Sequence, residues 1–115
     1  MKKLNLGCGR DIRKGYINLD FIKNKGVDVV WDLNKYPYPF KNSEFDEILA
    51  YNIMEHLDKP NDFIRELWRI GKNKCKIKII VPHFSSSSAW NDPTHVRPFG
   101  YSTFEHYDLN HKKNN

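Results

Sequence analysis

The chain has 115 residues, enough for one domain but not for a second core. Its 39% apolar, 14% aromatic and 29% charged residues exclude a disordered chain, and no apolar run is long enough for a membrane-spanning helix. The net charge of +5 gathers in Lys72, Lys74, Lys76, Lys78, Lys112 and Lys113; without interleaved aromatics this reads as a solvated surface, so nucleic acid is the less favoured partner.

In chain order, Leu4-Asn5-Leu6 running into Gly7-Cys8-Gly9 predicts a short first strand and a tight turn. A second strand is expected over residues 16–20. A third is expected over residues 27–32, where Val27, Val29 and Val30 are β-branched. Residues 34–43, with Pro37 and Pro39, must be loop. The apolar Ile48-Leu49-Ala50 marks a fourth strand over residues 45–51, buried on both faces.

From residue 60 to 70 the apolar positions Phe63, Ile64, Leu67, Trp68 and Ile70 recur at helical spacing, with Asp58 as the expected cap, Pro60 in the first turn and Gly71 at the end. A fifth strand is expected over residues 75–82, half exposed at its lysines and buried at Ile79-Ile80-Val81. Beyond it lies an aromatic, histidine-rich segment, with a short helix expected over residues 102–107 and a polar tail over 110–115.

Strands alternating with connections imply an α/β fold: a Rossmann-like open, mostly parallel sheet of order 3-2-1-4-5. Residues 1–82 form its core, and residues 83–109 belong to the same domain. Only residues 8–15 and 21–26 are left to join the first three strands, so the first two helices should be reduced to a turn or so. The fifth strand would otherwise leave an open edge, so residues 83–109 or a second copy of the chain should cover it. Cys8 and Cys75 are far apart and lie in no metal or disulfide pattern, which fits a reducing compartment. Met1-Lys2-Lys3 precedes too short and polar a stretch to be a secretory signal. A soluble cytoplasmic protein is expected.

The candidate site residues fall where the strands end. Gly7-Cys8-Gly9 lets the backbone approach a ligand closely and offers amides to a carboxylate or a ribose, although Gly-x-Gly also makes ordinary tight turns. Asp20 ends the second strand, where a carboxylate could accept from both hydroxyls of a ribose. Asp32 ends the third, within reach of an exocyclic amine, with Phe21 and Leu33 as apolar faces for a base. Two acids and a flexible turn on neighbouring strands favour a nucleoside over coincidence. A dinucleotide would want a third glycine and a full helix facing its pyrophosphate; Arg10-Asp11-Ile12 follows instead.

Leu4-Asn5-Leu6-Gly7-Cys8-Gly9, Ile17-Asn18-Leu19-Asp20, Val27-Asp28-Val29-Val30-Trp31-Asp32-Leu33, Pro39-Phe40 before Phe45-Asp46, and Asn52-Ile53-Met54-Glu55-His56-Leu57 together resemble the successive motifs of the class I S-adenosylmethionine-dependent methyltransferases, type 11 group. The resemblance covers residues 4–82 and implies S-adenosylmethionine as cofactor. It puts Gly7 and Gly9 beside the methionine end, Asp20 on the ribose, Asp32 and Leu33 around the adenine, and Asn52 near the methyl group. The short first and second connections depart from the family pattern, as does a chain that stops before the strands usually covering the fifth.

The implied activity is methyl transfer to an acceptor, expected to be a small molecule. A non-catalytic nucleoside-binding module, an enzyme fragment and an RNA methyltransferase stay open as alternatives. Direct displacement needs alignment more than acid-base chemistry; where a base is needed, His83 and His95 are the candidates, against plainer readings as capping or locally bonded histidines. His83, Asp92, His95 and His106 lack metal-site spacing, so no metal is expected. Glu55 and His56 read as structural or pocket-lining, with side chains expected to diverge, and Leu57 as the anchor of their turn.

Overall fold

A computed structural model describes residues 1–81 and 106–110 of the chain. The strands are β1 (Lys3–Leu6), β2 (Ile17–Asp20), β3 (Val29–Val30), β4 (Phe45–Tyr51), β5 (Gly71–Ile80) and β6 (His106–Asn110). A single 3₁₀ turn, Met54–His56, and one α-helix, α1 (Pro60–Ile70), lie between β4 and β5. The sheet order is β3-β2-β1-β4-β5-β6, parallel throughout except for antiparallel β6. The Rossmann-like order expected for the first five strands is therefore the one observed.

Helix α1 forms where the apolar spacing requires it, and it buries Phe63, Leu67 and Ile70. Against them pack Leu4 and Leu6 of β1, Leu19 of β2, Ile48 and Ala50 of β4, and Ile77 and Ile79 of β5, which alternation along each strand turns to one face. The expected cap differs. Lys59 is the residue before the helix and makes no side-chain cap bond, because Pro60 holds its predecessor out of helical conformation and sets the boundary there. The Asp58 amide instead donates to Asn34 Oδ1.

Glu66 ties this unit to the preceding loop. Its carboxylate accepts from the Tyr38 amide at 2.6 Å and from Arg69 at 2.7 and 3.0 Å, while Arg69 also donates to the carbonyls of Phe40 and Tyr38. Burial alone would raise the Glu66 carboxyl, but the Arg69 and Tyr38 bonds outweigh it and hold it below its ordinary value.

The first half of the sheet is built differently. Residues 7–16 and 21–28 connect parallel strands without any helix, shorter than a crossover normally allows. Buried asparagines replace the missing helical bonds. Asn18 Oδ1 accepts from Asn5 Nδ2 and from the Arg13 amide, both at 3.0 Å, and Asn18 Nδ2 donates to the carbonyls of Arg13 and Tyr16. The Asn18 amide donates to Asp28 Oδ2 at 2.8 Å, and the Asp28 amide returns a bond to the Asn18 carbonyl at 2.7 Å. Beside this network Tyr16 bonds Glu47, and burial followed by that bond and the Glu47 charge pushes its phenol up to about 12.

Two sequence expectations are corrected at the far edge. Strand β5 starts at Gly71 rather than 75, since Gly71 pairs with Phe45 across a register shift before the regular ladder from Lys76 to Ile80. His106 and Tyr107, expected at the end of a helix, lie in β6, as does Asn110, expected in the tail; the rest of the expected helix lies outside the described residues. The edge of β5 is covered from within the chain, as one of the two expected arrangements had it: β6 pairs with β5 from Lys76 to Ile80.

Candidate functional site

The carboxyl ends of β1, β2 and β3 and the segment after β4 meet at one rim, where the strand order reverses between β1 and β4. A cleft of about 310 Å³ opens there, lined by Gly7, Asp20, Phe21, Trp31, Asp32, Leu33, Asn34, Ile53, His56 and Leu57. A second hollow of about 340 Å³ is lined by Asn5, Gly7, Cys8, Arg10, Asp11, Tyr51 and Asn52. Gly7 borders both, so the two adjoin across the turn that follows β1.

That turn needs glycine at its first position. Gly7 has φ +64°, and an added Cβ would lie 2.8 Å from Ile53 Cδ1 and 2.9 Å from Cγ1. The Cys8 amide donates to the Leu19 carbonyl at 3.0 Å, which fastens the turn to β2 just before Asp20. Burial, followed by the nearby Asp20 charge, pushes the Cys8 thiol up. Gly9 also has positive φ, but it lines neither hollow.

Asp20 and Asp32 enter the same cleft by different routes. The Asp20 carbonyl accepts from the Trp31 amide at 3.0 Å, which aligns the ends of β2 and β3, while its carboxylate bonds no donor among the described residues. Asp32 Oδ1 accepts from the Asn34 amide at 2.9 Å and caps a turn, the plainer role open to it in the sequence, while still facing the cleft. Phe21 is 65% exposed and Leu33 is buried, so the apolar lining has one loose side and one fixed side. Asn52, at φ +56°, is anchored by its amide to the Ile80 carbonyl at 2.7 Å and stands on the second hollow.

The cleft thus gathers Gly7, Asp20, Phe21, Asp32 and Leu33, and the second hollow gathers Gly7, Cys8 and Asn52. His83 and His95, with Asp92, lie outside the described residues. Sequence reasoning missed Trp31, Asn34 and Ile53 in the cleft, and Asn5, Arg10, Asp11 and Tyr51 in the second hollow. Trp31 and Asn34 flank the Asp32-Leu33 pair and were legible by adjacency; Ile53 was not, because its contact with Gly7 crosses from β4 to β1. Leu57 is buried as expected. Glu55 and His56 do not diverge: His56 Nε2 stands 3.8 Å from Glu55 Oε2, because the tight 3₁₀ turn leaves the imidazole at the cleft and folds the carboxylate inward.

Comparison with known proteins agrees with this geometry. Residues 7–78 match the methyltransferase-domain family of type 11. Among solved structures, a SAM-dependent methyltransferase from Archaeoglobus fulgidus superposes with TM-score 0.69 at 23% identity, covering 86% of this chain and 54% of that one. The YcgJ protein from Bacillus subtilis gives 0.63 at 18%, with 86% and 56% covered. The cyclase SpnF gives 0.65 at 18%, with 90% and 47% covered. At these identities the likeness shows the fold, and the chain spans about half the length of the structures it matches. No curated protein sequence matches. The family match runs from the turn after β1 through most of β5 and takes in every residue that lines the cleft: the chain belongs to the type 11 methyltransferase-domain family, class I domains on a Rossmann-like sheet that use S-adenosylmethionine.

Proposed function

We propose that the protein transfers a methyl group from S-adenosylmethionine to a small-molecule acceptor, with the adenosine in the cleft beside Gly7. The observation that carries this reading is the Asp20 carboxylate, on the cleft with no partner among the described residues. A charged oxygen pair in such a place is poised for a ligand, and a ribose offers two adjacent hydroxyl donors. Asp32 takes the exocyclic amine of adenine, with Leu33 and Phe21 on the faces of the base. The turn Gly7-Cys8-Gly9 and Asn52 take the amino-acid end and the region of the methyl group.

S-adenosylmethionine supplies an electrophilic methyl on a sulfonium. The chain's own contribution is alignment: a rim fixed by the Cys8–Leu19 and Trp31–Asp20 backbone bonds holds its ligand in one pose, the kind of positioning worth about 7–11 kcal/mol of barrier. His83 and His95 are proposed to face the acceptor and take its proton where one must leave. Two buried free cysteines favour a reducing, cytoplasmic setting, and no helix among the described residues is long and apolar enough to cross a membrane. A fold shared with a cyclase does not choose the reaction; the family match supports methyl transfer.

Calorimetry with S-adenosylhomocysteine tests the reading. Asp20→Ala is expected to weaken binding by about 10-fold or more, the loss of two charge-assisted bonds, with thermal stability little changed. Equal affinity in the variant would overturn the assignment of the cleft.

A further inference from the structure

One face of the sheet carries no helix among the described residues. Alternation turns Leu4, Ile48, Ala50, Ile77 and Ile79 toward α1, so Lys3, Glu47, Tyr51, Lys76 and Lys78 project from the opposite side. Parallel sheets are normally covered on both faces, and here the two connections between β1 and β3 supply no helix to do it. Pairing gathers cations on the bare side. The register sets Lys3 of β1, Glu47 of β4 and Lys76 of β5 in one row, and Lys78 follows about 6.6 Å further along its strand. Lys76 is exposed, as is Lys74 just before it, and none of these four lysines makes an ion pair with a described residue. Acids are fewer: Glu47 accepts from the Tyr16 hydroxyl, and Asp108 stands opposite Lys78 in register.

Two tyrosines lie among the cations. Lys3 Nζ stands 5.2 Å from the centre of the Tyr16 ring, and the Arg13 guanidinium 5.0 Å from that of Tyr51. Asp11 Oδ2 accepts from Arg13 Nε at 3.1 Å and Nη2 at 3.0 Å, which fixes the guanidinium over the ring. Aromatic rings and guanidinium planes are surfaces on which unpaired bases stack, and lysines beside them meet phosphates. Along the chain the β5 lysines have no aromatics between them; the pairing of β1, β2, β4 and β5 brings Tyr16 and Tyr51 to their face. None of the exposed large apolar side chains among the described residues belongs to β4 or β5, so this face lacks what a lipid surface would take.

We infer that this face docks single-stranded RNA, with phosphates on Lys3, Lys76 and Lys78 and bases on Tyr16 and on the Arg13–Tyr51 pair. Docking of this kind goes beyond methyl transfer and is independent of the proposed seat of the adenosine.

Fluorescence anisotropy with a labelled oligouridylate of about 12 nucleotides tests this on the full chain. Three phosphate contacts predict an affinity that falls about 15- to 20-fold between about 50 and 200 mM salt. Lys76→Glu with Lys78→Glu should weaken binding about tenfold or more at low salt and cut the salt effect to about threefold. S-adenosylhomocysteine binding and the helical circular dichroism signal should stay as in the parent. The same charge change at the exposed Lys41 and Lys59, which lie beside α1, should cost about twofold or less. Tyr16→Leu should cost about fivefold or more, and Tyr16→Phe, which keeps the ring, should bind as the parent does. Should the glutamates disturb the fold, Lys76→Gln with Lys78→Gln removes the same contacts. Absence of binding by the parent, or equal weakening by the two charge-reversed pairs, overturns the proposal. So does displacement by polyglutamate as readily as by unlabelled RNA, which would make the face a site for acidic polypeptide.

Discussion

The two halves of the sheet hold their strands together by different means. From β4 through α1 to β5 the chain runs a full helical crossover, and a helix face of Phe63, Leu67 and Ile70 closes the core. From β1 to β3 there is no helix, and the polar network of Asn5, Asn18 and Asp28 does the joining. Apolar burial is non-directional, so the first unit tolerates small shifts. Hydrogen bonds are directional, so the second fixes where its strands end, and that is the half that brings Asp20 and Asp32 to the cleft.

Breaking the apolar half should cost most. Phe63→Ala is expected to remove about 3–5 kcal/mol of stability by denaturant titration, the usual range for a large core side chain, and to unfold both halves together. An unfolding curve showing the β1–β3 half surviving alone would break the comparison.

Gly7→Ala comes next, at about 2–4 kcal/mol, from a left-handed backbone and a clash with Ile53. Combined with Ile53→Ala it should regain the part due to the clash but not the part due to φ. Full recovery in the double variant would show that space, not conformation, demands glycine there.

Glu66→Gln should cost about 2 kcal/mol, since charged bonds to Arg69 and the Tyr38 amide are weakened in a buried place. Its pH dependence has a definite sign. The folded carboxyl lies below the ordinary value of 4.5, so its contribution is present above that value and is lost as pH falls through the lowered folded value. Acid titration of stability should therefore be shallower in Glu66→Gln than in the parent below about pH 4.5, and parallel curves would remove Glu66 from the account.

The smallest global effect is expected from the polar half. Asn18→Ala should cost about 1–2 kcal/mol overall, yet hydrogen exchange should show residues 8–17 losing protection while α1 keeps its own. Uniform loss along the chain would mean the two halves are one cooperative unit with no local division.

The same division explains what could be read in the sequence. β4 and α1 fall on their expected bounds because burial imprints periodicity on the residues themselves: Ile48-Leu49-Ala50 on one, the spacing of Phe63, Leu67 and Ile70 on the other. Asp20 was legible because it ends β2, and Asp32 because it follows β3 by two residues; the end of a strand leads to the rim whatever its neighbours are. The features that escaped are set by non-local pairing. His106–Asn110 contains no β-branched residue and becomes a strand through its register with β5. The Asn5–Asn18 network joins side chains that only the parallel pairing of β1 and β2 brings together. Arg10 and Tyr51 share a hollow because β1 and β4 are neighbours in space, which no local spacing encodes.

A crystal structure with S-adenosylhomocysteine would test the central claim most directly. The account predicts the ribose hydroxyls within hydrogen-bonding distance of Asp20, the adenine between Phe21 and Leu33 with its amine toward Asp32, and the amino-acid end crossing Gly7. A ligand seated away from this rim, or one touching neither carboxylate, would contradict it.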